Sequence, residues 1–218
     1  MSITKKPLLL SPVGSFESLH AAIRGGADAI YFGVEQLNMR TKSIPTITID
    51  DIAEVADICK QNAIKAYLTL NTVVYDYDMQ LARKIITECK IQGIDAVIAS
   101  DFAVFEMCKS IGMPLHISTQ ANVSNIESVA FFAQMADVVV LARELTLKQV
   151  SHITSEIKRR DLRGVSGDLM KIETFVHGAL CMAVSGKCYL SLHEKNASDN
   201  RGACVQNCRR PYQVTDLE

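Results

Sequence analysis

The sequence has no surplus charge of either sign: 23 Lys and Arg stand against 24 Asp and Glu, a net charge of -1 over 218 residues. That balance excludes a global field directed at nucleic acid or an anionic membrane, so any such partner has to be met by a local patch. Long apolar runs are also missing. Near the N-terminus only Leu8, Leu9 and Leu10 are continuous before Ser11 and Pro12 interrupt them, too little for a signal-peptide core or a membrane span. Without an export signal the expected location is cytoplasmic, where the seven cysteines stay reduced. A disulfide framework is thereby set aside, and metal binding, catalysis or burial remain as roles for the thiols. The chain lacks a G-x-S-x-G elbow and an H-E-x-x-H helix, the signatures of two large hydrolase classes.

What is present is a composition of 48% hydrophobic and 22% charged residues, enough for one sizeable core and an appendage. Short β-branched runs alternate with helical patterns, as in βαβ units of a parallel sheet. Seven strands are expected, at residues 7–11, 29–32, 65–70, 96–99, 115–118, 138–141 and 173–176. Between them, Ile52, Val55, Ala56 and Cys59 fall at i, i+3, i+4 and i+7, as do Val104, Met107, Cys108 and Ile111, so each set forms one buried helical stripe. Thr146 and Gln149 read as a capping box opening a further helix. One αβ joint recurs: Gly26-Ala-Asp28, Gly93-Ile-Asp95 and Met135-Ala-Asp137 each place an aspartate just before a strand. A repeated joint of this kind favours a TIM-like (β/α) barrel over a doubly wound sheet, although seven strands do not close an eight-stranded barrel. Residues 158–171 read as an extended loop. Residues 191–212 carry almost no apolar periodicity, so something other than a hydrophobic core has to hold them.

The cysteines divide into two groups. Cys59, Cys89 and Cys108 sit on apolar helix faces and read as small core hydrophobes. Cys181, Cys188, Cys204 and Cys208, spaced x6, x15 and x3, lie in a glycine-rich polar stretch with no amphipathic pattern. Four thiolates in so short a span suit either tetrahedral zinc or an iron–sulfur cluster, and spacing alone does not decide between them. The first follows the seventh strand, and in a barrel the C-terminal ends of the strands form the active face. The chain is accordingly divided into a barrel domain, 1–180, and a cysteine-rich segment, 181–218, packed at its mouth. Polar residues expected at the same face are Asn71, Asp101, Gln120, Asn122, Arg143 and His177, with Glu35 and Arg40 in the loop after the second strand. Arg40 and Arg143 are candidate clamps for a carboxylate or phosphate. Basic residues gather around the cysteines, Lys187, Lys195, Arg201, Arg209 and Arg210, with Tyr189 and Tyr212 among them. Such a rim suits either solvent or an RNA backbone with a stacked base.

The run Glu173-Thr-Phe-Val-His177-Gly-Ala-Leu-Cys181-Met-Ala-Val-Ser-Gly186-Lys-Cys188-Tyr-Leu-Ser191 resembles the signature of the U32 peptidase-like family at every defining position. The likeness extends through Leu10-Ser-Pro-Val-Gly14, the run from Gly25 to Gly33, Ser118-Thr-Gln-Ala-Asn122, Leu141-Ala-Arg-Glu-Leu145 and the run from Gly202 to Arg209. The family was named for presumed proteases, including collagenase-like members. Other branches resemble oxygen-independent hydroxylases that carry a [4Fe-4S] cluster and act on tRNA wobble uridine, ribosomal RNA or ubiquinone precursors. This sequence looks closest to the tRNA branch, which implies tRNA as partner and prephenate as oxygen donor. Matched residue by residue, the resemblance puts the cluster on Cys181, Cys188, Cys204 and Cys208 and favours it over zinc. The candidate catalytic residues are then Glu173, His177, Arg143, Asn71 and Gln120, and the candidate substrate-binding residues are Arg40, Asn122, Arg209 and Arg210. Members of the family usually run on through a further strand with an Ile-Glu-Gly-Arg-like motif, so an incomplete barrel is expected here.

Overall fold

The computed structural model describes residues 6–34, 37–38, 47–178, 181–213 and 215. Seven strands run in sequence order in one sheet: β1 (Leu10–Val13), β2 (Ala29–Phe32), β3 (Lys65–Leu70), β4 (Ala96–Ala99), β5 (Leu115–Ile117), β6 (Val138–Val140) and β7 (Lys171–Glu173). Every neighbouring pair is parallel, giving a curled, TIM-like half-barrel. Parallel neighbours need crossovers, and each of the six contains a helix: α1 (Phe16–Arg24), α2 (Ile52–Gln61), α3 (Met79–Gln92), α4 (Phe102–Ile111), α5 (Ile126–Phe132) and α6 (Leu147–Arg159). A short α7 (Leu190–Lys195) belongs to the cysteine-rich segment. Among the described residues no helix is long and apolar enough to cross a membrane.

Side chains alternate across each strand, so the two faces of the sheet have separate compositions. Ile30, Phe32, Ala66, Leu68, Leu70, Val97, Ala99, Leu115, Ile117, Val139 and Ile172 face the helices in one large apolar cluster. The other face carries a smaller cluster of Ala29, Tyr67, Ala96 and Ile98, with Leu10 and Tyr31 at its edge. His116, one residue from Leu115 and Ile117, lies on that concave side, its ring 4.6 Å from that of Tyr67. The helix faces match the expected stripes. Cys59, Cys89 and Cys108 are buried in the main cluster, and burial pushes their thiols up to about 11, 12 and 12.

The recurrent aspartates work as ties between neighbouring βα units. The Asp28 carboxylate accepts the Leu9 amide at 2.7 Å, Asp95 accepts Ala66 at 2.9 Å, and Asp137 accepts Ser166 at 2.9 Å. Gly93 closes α3 in the left-handed region, at φ 81°, where a Cβ would be strained. Thr146 and Gln149 form the expected capping box.

β5 and β6 end one residue earlier than expected, and three further expectations need correction. The first strand is Leu10–Val13 rather than 7–11; Leu8 and Leu9 precede the pairing with β2 and are exposed. The seventh is Lys171–Glu173 rather than 173–176. Its register with β6 ends at Glu173, whose carbonyl accepts Leu141 N at 3.0 Å, and the chain then leaves the sheet with Val176 exposed. Residues 158–171 are not one extended loop. They begin inside α6 and return to β7 through a tight reversal in which Arg163 pairs antiparallel with Leu169.

The buried thiols give a direct check of this packing. Iodoacetamide should leave Cys59, Cys89 and Cys108 unmodified in the native protein and alkylate all three after denaturation, read by peptide mass spectrometry. Labelling of any of the three in the native state would contradict the core.

Candidate functional site

The mouth of the half-barrel is built from the turns that follow β3, β4, β5 and β6. After β5, Ser118 leads into a short 3₁₀ turn, Thr119–Ala121, closed by Asn122 in the left-handed region at φ 54°. Asparagine tolerates that conformation better than most side chains do. The turn aims Gln120 and Asn122 across the opening. Asn71 Nδ2 donates to Gln120 Oε1 at 3.5 Å, and the Ser118 hydroxyl donates to the same oxygen. The Ser100 hydroxyl donates to the Asn71 carbonyl at 3.1 Å. Asn71, Ser100 and Gln120 line a cleft of about 140 Å³ with Val73, Gly186 and Asn200.

The cysteine-rich segment closes this cleft and is fastened to the barrel by hydrogen bonds. Asn122 Nδ2 donates to the Ser185 carbonyl at 3.0 Å, and Arg143 Nη2 donates to Ser185 Oγ at 2.6 Å. Gly186 follows at φ +72°, where a Cβ would lie 3.1 Å from Gln120 Cγ, so a side chain there would crowd the cleft. On the opposite side Val73 N donates to the Asn200 carbonyl at 2.9 Å. Arg201 is the main fastening. Its guanidinium donates to Asp78 Oδ2 at 2.6 Å, to the Val73 carbonyl at 2.5 Å and to the Tyr77 hydroxyl at 3.0 Å, and it lies 4.2 Å over the Tyr75 ring. Burial pushes the Asp78 carboxyl up, but the Arg201 bond, the Tyr75 amide and the guanidinium charge outweigh it and hold the group below its usual range.

Within the segment the ties are again polar. Val205 N donates to Ser191 Oγ at 3.2 Å, and Tyr212 donates to the Asn207 carbonyl at 2.9 Å. The buried Asp199 carboxylate accepts the backbone amides of Asn200 and Cys188, as well as its own. These bonds hold a stretch that the sequence leaves without apolar periodicity.

Cys181 is exposed, and Cys188, Cys204 and Cys208 are half-buried, all as free thiols. Among the described residues no three His, Cys, Asp or Glu side chains converge on a position that holds a metal ion. The donor chemistry nevertheless suits a thiolate-bound group: four unpaired thiols share one segment, and the amide of Asn207, between Cys204 and Cys208, is buried with neither polar atom partnered.

Of the other expected residues, the structure brings Asn71, Gln120, Asn122 and Arg143 together at one opening. Arg143 also sits 5.7 Å from the Phe175 ring, and its Nε is buried without a partner. Glu173 lies on the concave side, because its neighbour Ile172 packs against the helix-facing cluster. Desolvation there pushes its carboxyl up to about 7. His177 is exposed, four positions past the end of β7. Arg209 and Arg210 are exposed at the end of the segment, with Arg209 bonded to Gln206 Oε1 at 2.8 Å. Arg201, grouped with the basic rim by sequence, is instead spent on Asp78. Asp101 caps α4 through the Ala103 amide at 2.9 Å and ties the Val74 amide at 3.0 Å. Arg40 and Glu35 lie outside the described residues.

Sequence reasoning missed Tyr67 and His116. Both are buried on the concave face, with His116 Nδ1 unpartnered. Burial, reinforced by Lys65 and Lys171 against Asp137, holds the imidazole down at about 4, so it is neutral at pH 7. The available signal was period-two polarity within strands: Tyr67, Thr69 and Asn71 in one, His116 and Ser118 in another.

A pH titration tests the Glu173 environment. A carboxyl whose folded-state pKa is raised contributes its full stability below its ordinary 4.5 and loses it as pH rises through about 7. Relative to Glu173→Gln, the native protein should therefore lose on the order of 2–3 kcal/mol of unfolding free energy across that window. Parallel urea curves at all pH values would contradict a desolvated carboxyl.

Comparison with known proteins gives a consistent picture. The model of peptidase family U32 matches residues 14–218. A collagenase of Porphyromonas gingivalis is 53% identical over 96% of this chain and 51% of its own length. A 23S rRNA 5-hydroxycytidine synthase of Escherichia coli is 35% identical over 95% of this chain and 30% of its own. A tRNA hydroxylation protein of Bacillus subtilis is 33% identical over 97% of this chain and 48% of its own. The chain thus spans about half the length, or less, of these curated relatives. Among solved structures, that of the U32 peptidase Mk0906 superposes with a TM-score of 0.60 at 16% identity, covering 84% of this chain and 74% of that one.

Proposed function

This chain belongs to peptidase family U32, and from that premise we propose that it serves the oxygen-independent hydroxylation of a pyrimidine in RNA, forming 5-hydroxyuridine at the tRNA wobble position. The observation that carries this reading is the amide-lined cleft at the mouth. Asn71, Gln120 and Asn200 offer donors and acceptors of the kind that read the edge of an unpaired base. The RNA-modifying relatives, aligned over nearly the whole chain, support the same partner.

In this reading Cys181, Cys188, Cys204 and Cys208 hold a [4Fe-4S] cluster, which would supply electron or oxygen transfer beside the cleft. The chain's own residues do the rest. Asn71, Gln120 and Asn122 orient the base. Arg143 clamps an anionic oxygen donor such as prephenate. Glu173, pushed up to about 7, holds or releases a proton near neutral pH. His177 stands at the rim as a further proton carrier. Arg209 and Arg210, with Arg40, meet the phosphate backbone. The barrel is residues 1–180, the cluster segment is 181–218, and the protein acts in the cytoplasm.

A second reading, a U32-type peptidase, is favoured by the collagenase relative at 53% identity. It would draw its nucleophile from Cys181 with His177. A third assigns the cysteines to a zinc-stapled, non-catalytic module.

Nucleoside mass spectrometry of tRNA from a strain lacking the gene tests the proposal, alongside iron, zinc and acid-labile sulfide analysis of protein purified without oxygen. The expected result is loss of 5-hydroxyuridine-derived nucleosides and about four irons per chain. Unchanged nucleosides, with alkylation-sensitive gelatin cleavage, would replace it with the peptidase reading. Zinc without sulfide would replace it with the third.

A further inference from the structure

The Arg201 fastening leaves two aromatic rings largely in solvent. Tyr75 and Tyr77, in the turn between β3 and α3, are 49% and 74% exposed, yet both are held in place. Their rings meet edge to face at 5.7 Å and 74°. Arg201 lies 4.2 Å over Tyr75 and 5.5 Å from Tyr77, and it bonds the Tyr77 hydroxyl at 3.0 Å. The guanidinium is in turn fixed by Asp78, only 7% exposed. A surface tyrosine normally keeps its rotamer freedom and loses it on binding. Here that cost is already met, as in rigid aromatic anchors of binding surfaces. Val73, whose carbonyl accepts from Arg201, also lines the amide cleft, two residues before Tyr75 in the chain.

We propose that Tyr75 and Tyr77 form a stacking platform for an unpaired RNA base next to the one that enters the cleft. Three observations favour an unpaired base over a duplex or a peptide. The two rings stay 49% and 74% exposed while held in place, and aromatic rings stack bases without regard to sequence. Arg201 is neutralised by Asp78, so the platform offers no free cation to a phosphate and contributes stacking rather than charge. The adjoining cleft is lined by amides and a hydroxyl, which pair with base edges. The platform rests on the RNA reading above and extends it: the substrate strand has at least two consecutive unstacked nucleotides at the modified position.

The test is fluorescence anisotropy with an RNA stem-loop and a blunt duplex of matched composition, each at several salt concentrations, on anaerobically prepared protein. Tyr77→Ala should weaken stem-loop binding by about tenfold, the loss of one base–aromatic stack. It should leave duplex binding and the salt slope unchanged, because no phosphate contact is removed. Tyr77→Phe, which drops the bond to Arg201 but keeps the ring and its edge-to-face contact with Tyr75, should retain most of the affinity that Tyr77→Ala loses. Thermal melts of both variants check that each is folded. Equal stem-loop affinity of Tyr77→Ala and the unaltered protein would overturn the platform while leaving the RNA reading intact. An equal loss in Tyr77→Phe would also overturn it, since the hydroxyl and not the ring would then carry the effect. Failure of the unaltered protein to bind the stem-loop would overturn the RNA reading itself. A proline-rich peptide bound in its place, with Tyr77→Ala weakening it, would reassign the rings to a protein partner.

Discussion

Everything in this molecule follows from the alternation of side chains along parallel strands. One set of positions, from Ile30 and Phe32 through Leu68, Val97 and Ile117 to Val139, is apolar without exception and seats the helices. The complementary set is free of that duty and carries Tyr67, Thr69, Asn71, Ser100, His116, Ser118 and Glu173. A parallel strand cannot slip by one residue without exchanging these sets, so the apolar face fixes the placement of the polar one. The aspartate ties from Asp28, Asp95 and Asp137 reinforce the register from below, and the mouth above inherits its geometry from it.

The cysteine-rich segment obeys a different rule. It has too few apolar residues to be held by burial, and its described attachments to the barrel are hydrogen bonds together with the Arg201–Tyr75 ring contact. Ser185 meets Asn122 and Arg143 on one flank; Asn200 and Arg201 meet Val73 and Asp78 on the other. The segment therefore completes the cleft without adding to the core. Several residues of the family signature acquire physical reasons here: Gly186 must lack a Cβ against Gln120, Ser191 must accept the Val205 amide, and Glu173 must sit where water is scarce.

The legible part of the fold was the part governed by local pattern. β2, β3 and β4 fall on their expected residues because each is a short apolar run bounded by turn signals, and the capping box at Thr146 needs only two side chains three apart. β7 was displaced because Phe175 and Val176 look like strand residues, while pairing with Val138–Val140 reaches Lys171–Glu173 instead. Asn71, Gln120, Asn122 and Arg143 share one opening, as expected of residues at strand ends on one face of a barrel. The Arg201–Asp78 contact joins residues 123 positions apart, and the burial of His116 depends on the curl of the sheet. No local signal carries the first, and for the second the alternation of His116 with its apolar neighbours gives the face of the strand but not its burial.

If RNA is modified at the amide-lined cleft, the amide of Gln120 has to matter to the yield of modified nucleoside. A strain lacking the gene is complemented with Gln120→Leu, a change that keeps side-chain bulk against Gly186 and removes the amide. The nucleosides are then quantified together with the iron content of the purified variant. The account predicts a loss of hydroxylated pyrimidine of roughly tenfold or more at unchanged iron content, because an oriented polar contact to the base is gone. Full modification by Gln120→Leu would contradict the account and move the reaction away from this cleft.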